Sequence, residues 1–162
     1  MDNPEADFPV VYISFPSAKD PDYAVRHPGT ATIEIGAPAP FEWFEKWQGT
    51  TWGKRGDDYD AFKADLGERL MQHLYEKLPQ LVGKVDYYEV STPLSTDHFC
   101  AYQKGELYGL DHDSTRLQQN WLGPRTRFNG LWLSGQDVLT CGVTGAMMAG
   151  LLTTVSIIGM RK

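Results

Sequence analysis

A chain of 162 residues, 41% apolar and 22% charged, has the size and composition of one compact domain that buries roughly two-thirds of its surface. Its net charge of −6, with acids and bases interspersed and no basic stripe, argues against a nucleic-acid partner. The acidic stretch from Met1 to Asp7 lacks the basic-then-apolar pattern of a signal peptide, and Cys100 and Cys141 lie at no metal-ligand spacing. Two isolated thiols point to a reducing, cytoplasmic compartment while leaving a disulfide open.

Pro9 to Phe15 is a β-branched and aromatic run closed by Pro16, and it predicts a strand. Ser17 to Gly29 has the Pro, Asp and Gly content of a loop, and Thr30 to Ile35 alternates as a second strand, paired antiparallel with the first. From Phe41 to Trp52 the aromatics are dense, and helical spacing places Trp43, Phe44 and Trp47 on one face, a pattern of core more than of ligand cage. The clearest helix runs from about Asp58 to Leu78, with Asp57 as its expected N-cap. Tyr59, Phe62, Leu66, Leu70, Leu74 and Leu78 form its apolar stripe, His73 lies beside that stripe, and Pro79 ends it. Lys84 to Val90 predicts a further strand, and Thr96 to Gly123 a long loop of the kind that carries function. Leu131 to Leu133 reads as a short buried strand. The uncharged stretch Val138 to Gly159 then reads as a buried helix, although its length is also about that of a membrane span. The expected class is mixed α and β.

Chemistry concentrates near the end of the chain. Gly135, Gln136 and Asp137 follow the short strand, and a carboxylate just past a strand end is placed to accept hydrogen bonds from ribose or ribityl hydroxyls. Cys141, Gly142, Val143, Thr144 and Gly145 make a tight turn into a helix, with Thr144 a candidate cap. The unpaired N–H groups of such a helix start suit a flavin carbonyl or a phosphate. The glycines do not make GxGxxG, and close packing of a helix on a sheet accounts for them equally well.

Leu131 to Gly150 (LWLSGQDVLTCGVTGAMMAG) resembles the carboxy-terminal flavin motif of the phytoene-desaturase-like flavoproteins, in their carotenoid-isomerase and retinol-saturase branch. Lys54 to Leu66, Glu89 to Phe99, Gly105 to Arg116 and the YISFPSAKDPDYA segment near the start resemble the same branch, so the likeness covers nearly the whole chain. It implies an incomplete fold. Residues 1–119 would be part of a substrate-binding domain with a mixed or antiparallel sheet and helices; residues 120–162 would be the closing strand and helix of a Rossmann-like FAD domain. The implied cofactor is FAD, held by Gly135, Gln136, Asp137, Cys141, Gly142, Val143 and Gly145. Asp137 would meet its ribityl or pyrophosphate part, and Gly142 and Val143 the isoalloxazine. The implied substrate is an apolar polyene, with His98, Phe99 and Tyr108 as candidate contacts, and peripheral membrane contact would follow from such a ligand. The GxGxxG turn with which the family begins does not occur in this sequence, so a further amino-terminal FAD-binding half is an expected partner, and FAD binding by this chain alone is expected to be weak or absent.

Other residues point to less. Asp111-His112-Asp113 reads as turn chemistry, one histidine between two acids being too few ligands for a metal site. No residue stands out as the catalytic group, and no nucleophile elbow or Ser/His/Asp order is present.

Overall fold

A computed structural model describes residues 3–159, and the fold is a mixed α and β one. The chain divides into two compact units, Met1–Gly105 and Glu106–Lys162, each taken here by itself.

In the first unit, strands β1 (Tyr12–Ser14) and β2 (Glu34–Gly36) pair antiparallel, with Ile13 opposite Ile35. The pairing is the one expected, but each strand keeps only three residues. The intervening segment is tighter than a loop: Pro16 and the Asp20–Asp22 turn start two one-turn helices, α1 (Pro16–Lys19) and α2 (Tyr23–Arg26). Phe41–Trp47 winds as a 3-10 helix. Its three-residue period buries Phe41, Phe44 and Trp47 and leaves Trp43 only partly buried, which corrects the face expected from α-helical spacing.

Helix α3 (Asp57–Lys77) is the long amphipathic helix expected from the sequence. Tyr59, Leu66 and Leu74 are buried, and Phe62 and Leu70 pack against the same core. The rings interlock: Trp47 stacks on Phe62 at 5.6 Å and meets Tyr59 edge-on at 5.3 Å. The N-cap is Gly56 rather than Asp57, which is already helical. The Asp58 carboxylate instead accepts from the Trp47 indole N–H at 3.1 Å and pairs with Lys46 at 3.2 Å. The Trp47 hydrogen bond, helped by Lys46, holds its carboxyl below the usual carboxylate range.

Two further expectations are corrected here. Lys84 to Val90 forms no strand and belongs to no ladder among the described residues. Its alternation reflects packing, because Tyr88 and Val90 lie over Gly67 of α3: a Cβ there would come within 2.8 Å of the Val90 side chain. The expected long loop begins inside α4 (Pro93–Cys100), where Pro93 occupies the first turn and the Ser95 hydroxyl accepts the Thr92 N–H at 3.2 Å. Thr92 in turn bonds the buried Tyr59 hydroxyl at 2.8 Å, tying α4 to α3.

The second unit is built around α5 (Gly142–Ile158). Residues 124–133 double back on themselves: the Leu133 N–H reaches the Pro124 carbonyl at 2.9 Å, and Arg125 and Trp132 form a single antiparallel bridge. The expected strand Leu131 to Leu133 is thus one bridge long, with Leu131 and Leu133 exposed rather than buried. The Thr153 hydroxyl links α5 to the Leu133 carbonyl at 2.8 Å. Only Gly145, Ala149 and Thr153 of α5 are buried, so the helix is not enclosed as its composition suggested. Among the described residues no helix is long and apolar enough to cross a membrane.

Candidate functional site

The Gly135–Gly145 motif forms a defined turn in the second unit, held by a residue outside it. Arg116, only 8% exposed, starts a 3-10 turn (Arg116–Gln118). Its Nη2 donates to the carbonyls of Gln136 and Asp137, both at 2.9 Å, and its Nη1 donates to the Leu110 carbonyl at 2.7 Å. A guanidinium is always charged and presents its donors in a fixed fork, so it can hold two chain segments at one spacing. The Asp137 carboxylate closes the same junction by accepting the Leu110 N–H at 2.9 Å. Gly109 makes this approach possible, since any Cβ at that position would collide with the Asp137 carboxylate, and its φ of +74° is one a side chain rarely adopts.

Cys141 is the N-cap of α5, and no side chain caps the helix; Thr144 lies inside the first turn and takes no capping role. The Cys141 N–H donates to His112 Nε2 at 2.9 Å. At the adjacent Gly142 an added Cβ would meet open space, and Val143 is 79% exposed. The first turn of α5 therefore carries backbone donors without intrahelical partners beside an open surface, which fits an acceptor such as a flavin carbonyl. Gly145 is required for packing: a Cβ there would run into the Thr140 carbonyl. Asp137 keeps further acceptor capacity at its second oxygen for a hydroxyl donor. Gly135 and Gln136 lie in the same turn, so all seven motif residues are brought together.

The segment Asp111-His112-Asp113 divides its roles. Asp113 does turn chemistry: Thr115's hydroxyl bonds it at 2.6 Å and the Arg116 N–H at 2.8 Å, and these bonds, Thr115's first, hold its carboxyl below the usual range. His112 does not, because its ring reaches the motif turn. Arg116 did not stand out in the sequence, and His112 stood out only as part of a turn. A lone Arg after an Asp-x-Thr turn has no periodic signature, and only the turn chemistry of Asp113 would have marked the segment as ordered.

Of the three candidate substrate contacts, two lie in the first unit and one in the second. His98 and Phe99 adjoin on α4 and share an exposed ring cluster with Trp52, His98 stacking on Trp52 at 5.6 Å and Phe99 meeting it edge-on at 5.4 Å. Trp52 and Phe99 also line a cavity of about 110 Å³ in the first unit, which Arg55, Lys63, Asp60 and Glu89 border. Tyr108 belongs to the second unit, exposed beside Gly109 with a φ of +71°.

No protein-family model and no solved structure matches the chain. Among curated proteins, it is 39% identical over 153 residues, 93% of its length, to the human protein named all-trans-retinol 13,14-reductase. It is 32% identical over 157 residues to a zebrafish protein of the same name, and 32% identical over 150 residues to a zebrafish protein named inactive all-trans-retinol 13,14-reductase. The chain spans about a quarter of the length of these relatives: 25%, 26% and 24% respectively. Along nearly all of its own length, then, the sequence is homologous to the all-trans-retinol 13,14-reductases, and the resemblance to the retinol-saturase branch is borne out.

Proposed function

We propose that this chain supplies substrate-side structure and the flavin-closing turn of an FAD-dependent oxidoreductase acting on the double bonds of an apolar conjugated polyene, a retinoid or a carotenoid. The observation that carries the proposal is the Arg116-held turn, which presents Asp137 and the open start of α5 in a sequence homologous to all-trans-retinol 13,14-reductases.

In the proposed enzyme FAD supplies the electron-transfer chemistry when bound, and the chain's residues hold and orient it. Asp137 would accept a hydroxyl of the ribityl portion. The N–H groups of Gly142 and Val143 face the isoalloxazine, with Gly135, Gln136, Cys141 and Gly145 shaping the turn. His98, Phe99 and Tyr108 offer ring surface to the polyene. The dinucleotide-binding half belongs to an amino-terminal portion of the enzyme, so residues 1–119 serve the substrate domain and residues 120–162 the FAD domain. Peripheral contact with a membrane would give access to an apolar substrate.

The reaction direction is read from the chain joined to that dinucleotide-binding half, loaded with FAD and mixed anaerobically with all-trans-retinol. Reoxidation of reduced flavin with loss of one conjugated double bond identifies saturation, and reduction of oxidised flavin identifies desaturation. A geometric isomer formed with the flavin unchanged identifies isomerisation. A loaded protein that does none of these contradicts the oxidoreductase reading. It would instead favour a non-catalytic homologue, a reading supported by the 32% identity to a relative named inactive.

A further inference from the structure

The motif turn is touched by an exposed histidine ring, which accepts a backbone hydrogen bond from it. His112 Nε2 accepts the backbone N–H of Cys141 at 2.9 Å, and Arg116 Nη1 lies 3.4 Å from the same nitrogen. Both neighbours are donors: a backbone amide has no lone pair to offer, and a guanidinium has none either. Nε2 must therefore carry the lone pair, which puts the ring proton on Nδ1. Arg116, anchored on the carbonyls of Leu110, Gln136 and Asp137, fixes the ring relative to the turn. Through these two residues the 110–116 segment grips both ends of the motif, its carboxylate end at Asp137 and its helix end at Cys141.

We infer that His112 and Arg116 are positioning residues for the Asp137–Val143 turn, and that His112 acts only as the neutral Nδ1–H tautomer. The inference rests on the flavin reading for its purpose, and on geometry alone for its existence. Charged or titratable groups surround His112 in its own segment and in the elements its ring touches. Asp111 and Asp113 flank it in its own segment, Asp111 accepting the His112 N–H at 2.8 Å and Asp113 being engaged by Thr115 and the Arg116 N–H. Arg116 faces it from the following 3-10 turn, and Cys141 from the start of α5. A proton on Nε2 would remove the acceptor from the Cys141 N–H and set an imidazolium beside the guanidinium. The grip on the helix end is then lost, while the carboxylate end, held by Arg116, remains.

Nitrogen-15 NMR of the 162-residue chain tests the grip without any cofactor. The expected result is a pyridine-type Nε2 and protonated Nδ1 at His112, with the Cys141 amide signal moving along the His112 titration. His112→Ala should remove that dependence and expose the Cys141 amide to exchange. His112→Gln, whose side-chain carbonyl can accept the same bond, should keep the amide protected at every pH. An Nε2–H tautomer, or a Cys141 amide indifferent to His112, overturns the inference. The second arm uses the chain joined to its amino-terminal dinucleotide-binding half and loaded with FAD. FAD affinity should fall on the order of fivefold in His112→Ala, the effect of losing one hydrogen bond. It should fall likewise in the wild type on acidification, and should not change with pH in His112→Gln. A yellow protein whose affinity ignores His112 overturns the positioning role and leaves the flavin reading standing. A wild-type chain that takes up no flavin even when joined to that half overturns that reading, and the Cys141 signal decides separately whether the grip exists.

Discussion

At Gly145 the first turn of α5 runs so close to Thr140 that a single added methyl would strike a backbone carbonyl, whereas at Gly142 the same methyl would enter open space. The two positions separate packing from backbone conformation. Gly145→Ala should cost about 1–3 kcal/mol, the range for overpacking. Gly142→Ala should cost about 1 kcal/mol, because only the positive φ opposes it. Thermal melts followed by circular dichroism give both values, and equal losses would mean that the Thr140 contact does not form. Asp58 makes a prediction in pH. Its carboxyl is held below the ordinary value by the Trp47 indole N–H and Lys46, so its contribution is present above the unfolded pKa of about 4 and is lost as pH falls through the folded one. The melting-temperature gap between wild type and Asp58→Asn should close as the pH drops below about 4, and a gap that widened there would refute the assignment. Single residues were the least legible feature of the sequence. Gly135 to Gly145 announced themselves by composition, but Arg116 and His112 act through tertiary contacts that leave no local pattern, and the carboxylate of Asp58 is used by a tryptophan eleven positions away.

Among the elements, α3 was readable because its stripe from Tyr59 to Leu74 repeats over about four turns and buries against a ring cluster that fixes its face. Lys84 to Val90 was not, since alternation of apolar residues records which side chains are covered and not whether a strand lies alongside. Val90 and the edge of Tyr88 lie against α3 at Gly67, although Tyr88, like Tyr87, stays largely exposed. Gly67→Leu should therefore displace this segment while leaving α3 helical, since leucine favours a helix more than glycine does. Limited proteolysis after Tyr87 and Tyr88 should quicken several-fold with unchanged helical circular dichroism. Unchanged cleavage would show that the segment is not held by α3. The core of the first unit makes a simpler demand: Phe44 is fully buried against Phe62, so Phe44→Ala should cost about 3–5 kcal/mol.

On the scale of the whole chain, two units each carry part of what the proposed enzyme needs, and the chain spans about a quarter of its relatives' length. Helix α5 buries one narrow stripe and leaves Val143, Met147, Leu151 and Ile158 exposed within the second unit. An apolar helix of this kind on its own should bind a hydrophobic dye and self-associate, and covering it with the amino-terminal half should abolish both. The central claim, that the Gly135–Gly145 turn closes a flavin site completed by an amino-terminal dinucleotide-binding half, is tested most directly by the visible spectrum of the purified protein. The chain alone should be colourless, and the chain joined to that half should be yellow, with one flavin per complex. A stoichiometric flavin spectrum from the chain alone, or a colourless complex, would contradict it.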